Sequence, residues 1–254
     1  MKSSQPGLGT LIVTGASRGI GAATAKMAAA RGFSVAVNFS TAGAEAETVV
    51  QQITYAGGRA LAIQADVACE EDIVRLFEIA EHELGPIKAL VNNAGITGGF
   101  SRVESVSAEI LRQVMAVNVN GAILCAREAV RRMSTKHGGT GGAIVNISSR
   151  AAQIGSAGEW VHYAASKGAI DSFTVGLARE VATEGIRVNA VAPGLIETGL
   201  HAAHGVPDRL NRLANTIPMQ RPGTADEVAE AVLWLLSPAA SYVAGTILEV
   251  GGGR

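Results

Sequence analysis

Three polar side chains carry the clearest chemical signal in the chain: Ser149, Tyr163 and Lys167. Tyr163 and Lys167 stand four apart inside a helical pattern and so share one face. A free tyrosine titrates near ~10, too high for a base at neutral pH, but a cation close to it favours the phenolate and draws that value down. Such a pair can give or take a proton. Ser149 follows the short apolar run 143–147, and its hydroxyl can hold a substrate oxygen while Tyr163 moves the proton. By itself a Tyr and a Lys four apart is a common surface pair on a helix; the serine and the rest of the chain give it weight.

A second group of residues can hold a phosphate. The run Thr14-Gly15-Ala16-Ser17-Arg18-Gly19-Ile20-Gly21 follows the apolar stretch 10–14 and opens a helical pattern. Glycines in this spacing let the backbone turn sharply and approach a pyrophosphate, with the amides of the next helix pointing at it. Asp66-Val67 closes another apolar run. Its carboxylate can accept from an adenine amine, or it can cap the helix beginning near Glu70. Asn92-Asn93-Ala94-Gly95 ends a further run, where small residues leave room for a cofactor and an Asn side chain can tie strands together; an ordinary turn is the other reading.

These residues need a scaffold, and the alternation of short apolar runs with helical periodicity supplies one. Strands are expected at about 10–14, 34–39, 59–64, 89–93, 143–147, 186–191 and 246–250. Helices are expected at about 18–31, through Gln51 and Gln52 to the glycine break at Gly57, and at about 70–84, 108–136, 163–183 and 226–236. Hydrophobic strands alternating with helices predict an α/β fold: one doubly wound parallel sheet of about seven strands, helices on both faces, forming a single dinucleotide-binding (Rossmann) domain over 1–254. Ser149 and the glycine turn then fall at the carboxyl ends of strands, where such sheets bind ligands. The irregular stretch 194–222 reads as a substrate loop.

Composition narrows the partners. The chain has 254 residues, 48% hydrophobic and 17% charged, with a formal net charge of −1, and no basic run to suit nucleic acid or an anionic membrane. Two cysteines, Cys69 and Cys125, are too few for a disulfide framework. With no signal-like leader and no long apolar segment, a cytoplasmic protein is expected. His201 and His204 lack a third ligand nearby, so no metal is expected. Met115, Met133 and Met219 read as core filler. Trp160 and His162 can either read a polar substrate, together with Glu159, or serve as packing and surface residues.

Taken together, TGASRGIG at 14–21, DV at 66–67, NNAG at 92–95, NVNG around Asn118, NISS at 146–149, YAASK at 163–167 and PGLIET at 193–198 resemble the short-chain dehydrogenase/reductase family over nearly the whole chain. The resemblance implies that Tyr163 is general acid in reduction and general base in oxidation. Lys167 then binds the nicotinamide ribose, Ser149 polarises the carbonyl, and Asn118 holds a proton-relay water by bending the long central helix. Pro193, Gly194, Ile196 and Thr198 clamp the nicotinamide carboxamide. Spacing from Ser149 to Tyr163 is one residue longer than is common, which keeps Ser148 as a minor candidate. The implied cofactor is NADP(H), with NAD(H) the alternative: the second strand ends in Asn38-Phe39-Ser40 without the acid that pairs with a ribose diol, and Arg18 can meet a 2′-phosphate. A small carbonyl or alcohol substrate and a homotetramer are implied as well. A cofactor-sensing regulator without turnover is the rival reading, and the retained Tyr163 and Lys167 speak against it.

Overall fold

A computed structural model describes residues 7–198, 210 and 213–254. Its order is β1 (Thr10–Val13), α1 (Gly19–Ala30), β2 (Ser34–Phe39), α2 (Gly43–Tyr55), β3 (Arg59–Gln64), α3 (Glu70–Leu84) and β4 (Ile87–Asn92). Then come α4 (Ala108–Met115), a π-helical segment (Ala116–Gly121), α5 (Ala122–Met133), β5 (Gly142–Ile147), α6 (Ala151–Ile154), α7 (Val161–Val181) and β6 (Ile186–Pro193). The short strands β7 (Ile196–Glu197) and β8 (Gly223–Thr224), the helix α8 (Ala225–Leu236) and β9 (Ile247–Val250) complete it.

Seven strands form a parallel sheet in the order β3-β2-β1-β4-β5-β6-β9. The order runs outward both ways from the β1/β4 pair, so a crevice opens there, beyond the carboxyl ends of those strands. Alternation along each strand feeds two cores. Leu11, Val13, Val91 and Val145 pack with Ala25, Ala28, Val228 and Val232 on the face of α1 and α8. Ile12, Leu90 and Ile144 pack with Phe77, Ala129, Met133 and Val181 on the face of α3, α5 and α7. The small side chains of α1 favour helix and let it lie close to the sheet.

The helix expected over 108–136 is interrupted. Between α4 and α5 the backbone winds through the π segment, which absorbs an extra residue and turns the buried Asn118 toward the loop after β4. Gly121 lets this segment touch the end of β3–α3, since a Cβ there would sit 2.5 Å from the Val67 carbonyl oxygen. The hairpin-free pairing of β7 with β8 and the four-residue α6 have no periodicity strong enough to foresee. Met133 is core as expected, whereas Met219 is 65% exposed, because it follows Pro218 at the rim of the Gly252 turn.

Candidate active site

The glycine turn between β1 and α1 is held from three sides. Gly15 and Gly19 adopt φ of +60° and +56°, which a side chain resists. The Gly15 amide donates to Asn38 Oδ1 at 3.1 Å, and the Ala16 amide to the Asn38 carbonyl at 2.7 Å. Asn93 Nδ2 donates to the carbonyls of Thr14 and Gly15 at 2.8 and 2.9 Å. Gly21 serves packing: a Cβ there would lie 2.5 Å from both the Gly15 oxygen and Asn93 Nδ2. The N-cap residue Arg18 makes no side-chain cap at the start of α1, whose first amides face the turn.

A cleft of about 540 Å³ runs from this turn along the carboxyl edge of the sheet. Ser17, Arg18 and Ile20 line it together with Ser40, Asp66, Val67, Ala94 and Gly95. The exposed Arg18 pairs with no carboxylate among the described residues. Asn38 reaches the cleft wall, but its amide is already used: Nδ2 donates to the carbonyls of Ile63 and Ala65 at 3.3 and 3.0 Å, bracing β2 against β3. Asp66 Oδ1 accepts from the Ala68 amide at 3.0 Å in a local turn, and Cys69, not Asp66, precedes the first turn of α3. Asn92 stands apart from the cleft. It is buried and donates to the Ala122 carbonyl at 3.0 Å and to Asn146 Oδ1 at 2.9 Å, tying β4 to α5 and β5. Its neighbour Asn93, which the motif contained but sequence reasoning did not single out, is the one that borders the cleft.

At its inner end the cleft narrows to a space of about 130 Å³ bounded by Ser149, Tyr163, Lys167, Pro193, Gly194, Ile196 and Thr198. Thr198 lies over the glycine turn, its methyl 3.4 Å from where a Cβ on Gly19 would be. Lys167 Nζ donates to the Ile147 carbonyl at 2.7 Å and sits 5.7 Å from the centre of the Tyr163 ring. Burial pushes the Lys167 ammonium down to about 8, against the opposing pull of Asp171. Tyr163 goes the other way from the sequence expectation. Burial raises its phenol above the ordinary value, and the Ser149 hydroxyl, hydrogen-bonded to it, offsets this only in part. In the protein alone the phenol is therefore protonated at neutral pH, ready to donate.

The two serines separate cleanly. Ser149 Oγ accepts from the Ala151 amide at 3.1 Å and faces Tyr163. Ser148 is buried and turns into α7, donating to Asp171 Oδ1. Asn118 clamps the loop after β4: its Oδ1 accepts from the Ile96 amide and its Nδ2 donates to the Ile96 carbonyl, both at 2.8 Å, and Nδ2 also reaches Ser166 Oγ at 3.0 Å. Its amide is thus spent on the backbone that walls the site.

Beyond Ser149 and Tyr163 lies a second cavity, of about 300 Å³. Trp160 forms one wall; its ring stacks 4.5 Å from Phe100 and meets the Tyr163 ring edge-on at 6.1 Å. His162 is buried with Nε2 2.8 Å from the Thr97 carbonyl, so it neither lies on the surface nor reaches this cavity. Leu213, from the stretch expected to be a substrate loop, also lines it, as do Arg150 and Arg254, which sequence reasoning did not single out. His201 and His204 lie outside the described residues.

A glycine-turn cleft that ends on a Ser, a Tyr and a Lys has the parts that a dinucleotide-dependent dehydrogenase would use. Comparison with known proteins agrees. The family model described as enoyl-(acyl carrier protein) reductase matches residues 15–254. The chain is 52% identical to an uncharacterized oxidoreductase of Escherichia coli, over 96% of this chain and 98% of that one. It is 40% identical to cis-4-hydroxycyclohexanecarboxylate dehydrogenase of Sinomonas cyclohexanicum, over 95% and 94% of the two chains. Its structure superposes on a short chain dehydrogenase from Burkholderia cenocepacia in complex with NADP, at a TM-score of 0.89 and 33% identity, covering 97% and 98%. The chain belongs to the short-chain dehydrogenase/reductase family, and it is an oxidoreductase.

Proposed function

We propose that this oxidoreductase transfers a hydride between NADP(H) and a small carbonyl or secondary alcohol, with Tyr163 as the proton donor in reduction. The observation that carries the reading is the meeting of Ser149, Tyr163 and Lys167 where the long cleft joins the second cavity. The cleft fits a dinucleotide: glycines at positive φ, uncapped amides at the start of α1, and a lysine facing its inner end. The cofactor, when bound, supplies or accepts the hydride. Ser149 orients the substrate oxygen, Tyr163 donates the proton to it, and Lys167 with its charge favours the phenolate left behind. Asn118 holds the Ile96 backbone along that wall. Preference for the 2′-phosphate rests on Arg18 in the cleft and on Asn38, an amide where a carboxylate would repel it.

Of the stretch read as a substrate loop, Leu195 and Leu213 stand on the wall of the second cavity, which supports a substrate there. Free thiols at Cys69 and Cys125 suit a reducing compartment such as the cytoplasm. Among the described residues no helix is long and apolar enough to cross a membrane. Assembly as a homotetramer is supported by a bare face on α7, where a Cβ on Gly168 or Gly176 would meet nothing. A panel of ketones, aldehydes and secondary alcohols, followed at the NADPH absorbance with NADH in parallel, tests the reading. NADPH consumed by carbonyls supports it, and no turnover of any carbonyl or alcohol removes it.

A further inference from the structure

We propose that Arg254 makes the second cavity a receptor for a carboxylate, so that the substrate is an oxo or hydroxy acid whose acid group pairs with this guanidinium. The proposal rests on the reading of Ser149 and Tyr163 as the reacting end. It starts from the path of the chain after β9. Gly252 and Gly253 take φ of +63° and +89°, and this turn seats the tail against Ile217 and Pro218. The Arg254 amide then donates to the Gly251 carbonyl at 3.2 Å. As a result Arg254 lines the same cavity as Ser149 and Tyr163, though it is about a hundred residues away in sequence.

Arg150 fixes this arrangement. It follows Ser149 directly, its amide donates to the Pro193 carbonyl at 2.9 Å, and its Nε donates to the main-chain oxygen of Arg254 at 2.7 Å. Its remaining edge pairs with Glu249. Arg150 is thereby occupied, and it ties the tail to the serine that orients the reacting oxygen. The Arg254 guanidinium is different: among the described residues no carboxylate pairs with it. Arg254 also borders a neighbouring cavity that holds Glu227 and Glu249, but Arg221 and Arg150 already engage those two acids. Among the described residues Glu159, on the Trp160 side, is the one acid lining the second cavity itself, and it has an interaction of its own. Arg254, half-buried and with no carboxylate paired to it among the described residues, lines this cavity together with the apolar Ile154, Trp160 and Leu195, a lining that favours a compact ligand with one anionic end.

The test titrates the NADP⁺-loaded protein calorimetrically with 4-acetylbenzoate and with its neutral isostere 4-acetylbenzamide. The acid is expected to bind about ten-fold more tightly than the amide, the range of one charge-assisted contact. Arg254→Gln should erase that preference and Arg254→Lys should keep part of it. Equal binding of the two compounds, tighter binding of the amide, no binding of either, or a preference that survives Arg254→Gln overturns the proposal. NADPH consumption with the same two ketones separates the two readings. Turnover without an acid preference sinks only the role of Arg254. An Arg254-dependent preference without turnover sinks the role of Tyr163 and leaves the anion site standing.

Discussion

Burial decides the chemistry of Tyr163 and Lys167 as much as their proximity does. With the phenol held above its ordinary value, Tyr163→Phe removes the only proton it can offer while the ring still packs against Trp160. Turnover is expected to fall roughly a hundred- to ten-thousand-fold with cofactor affinity retained, as read by steady-state kinetics beside fluorescence titration of NADPH. Lys167 titrates at about 8, and a lysine is charged below its pKa. Carbonyl reduction, followed as kcat/KM, should therefore hold through neutral pH and decline as pH rises past about 8. A profile flat over roughly pH 6 to 10 would take Lys167 out of the titrating set. Under the proposed function Arg18 would supply the charge contrast between the two cofactors. In Arg18→Ala the dissociation constant of NADPH should rise several-fold while that of NADH hardly moves, narrowing the gap; equal constants already in the native protein would count against the NADP(H) assignment.

At the scale of elements, short-range devices aim the site. The π segment exists so that one buried amide, Asn118, can hold both backbone groups of Ile96, and Asn92 and Asn146 cross-link β4, α5 and β5 behind the reacting edge. Helix α8 begins with a capping box: Thr224 Oγ1 accepts from the Glu227 amide at 3.2 Å, and Glu227 Oε2 accepts from the Thr224 amide at 2.8 Å. The same Glu227 pairs with Arg221, which together with the cap holds its carboxyl down at about 2. Thr224→Ala should cost about 1 kcal/mol in denaturant unfolding with the reaction chemistry untouched. A loss near zero would mean that packing of Val228 and Val232 alone holds this end of the helix.

Across the whole molecule, the face of α7 that carries Ala165, Gly168, Ala169 and Gly176 is uncovered within one chain. Small residues at helical spacing permit close approach of a second helix, and a two-fold axis there would pair α5 and α7 with their copies. Trp234, 42% exposed on α8, and the fully exposed Tyr242 before β9 offer a second apolar surface at the sheet edge. Light scattering at micromolar concentration reads the outcome. Four times the 25.9 kDa chain supports both interfaces, twice that mass keeps only one, and the mass of one chain rejects both.

What the sequence alone could determine was whatever is encoded over short distances. Apolar runs of strand length alternating with helical periods set the doubly wound sheet, because a strand and its crossover helix are read from neighbouring residues. The glycine turn was legible because only glycine takes the φ it needs, and Tyr163 and Lys167 were legible because four residues make one helical turn. The tertiary structure alone decided whatever depends on groups distant in the chain. Ser149, already preferred in the sequence over the minor candidate Ser148, faces Tyr163, whereas Ser148 turns into α7 toward Asp171, a difference of direction that spacing does not carry. Asn38 and Asn92 act as braces because their partners, the Ile63 and Ala65 carbonyls for one and Asn146 for the other, come from distant stretches of the chain. The tyrosine expected to be acidified is instead raised, since burial acts on it and sequence spacing carries no measure of burial. Arg254 reaches the reacting end only because β9 pairs with β6, and that pairing brings the close of the chain back beside Ser149.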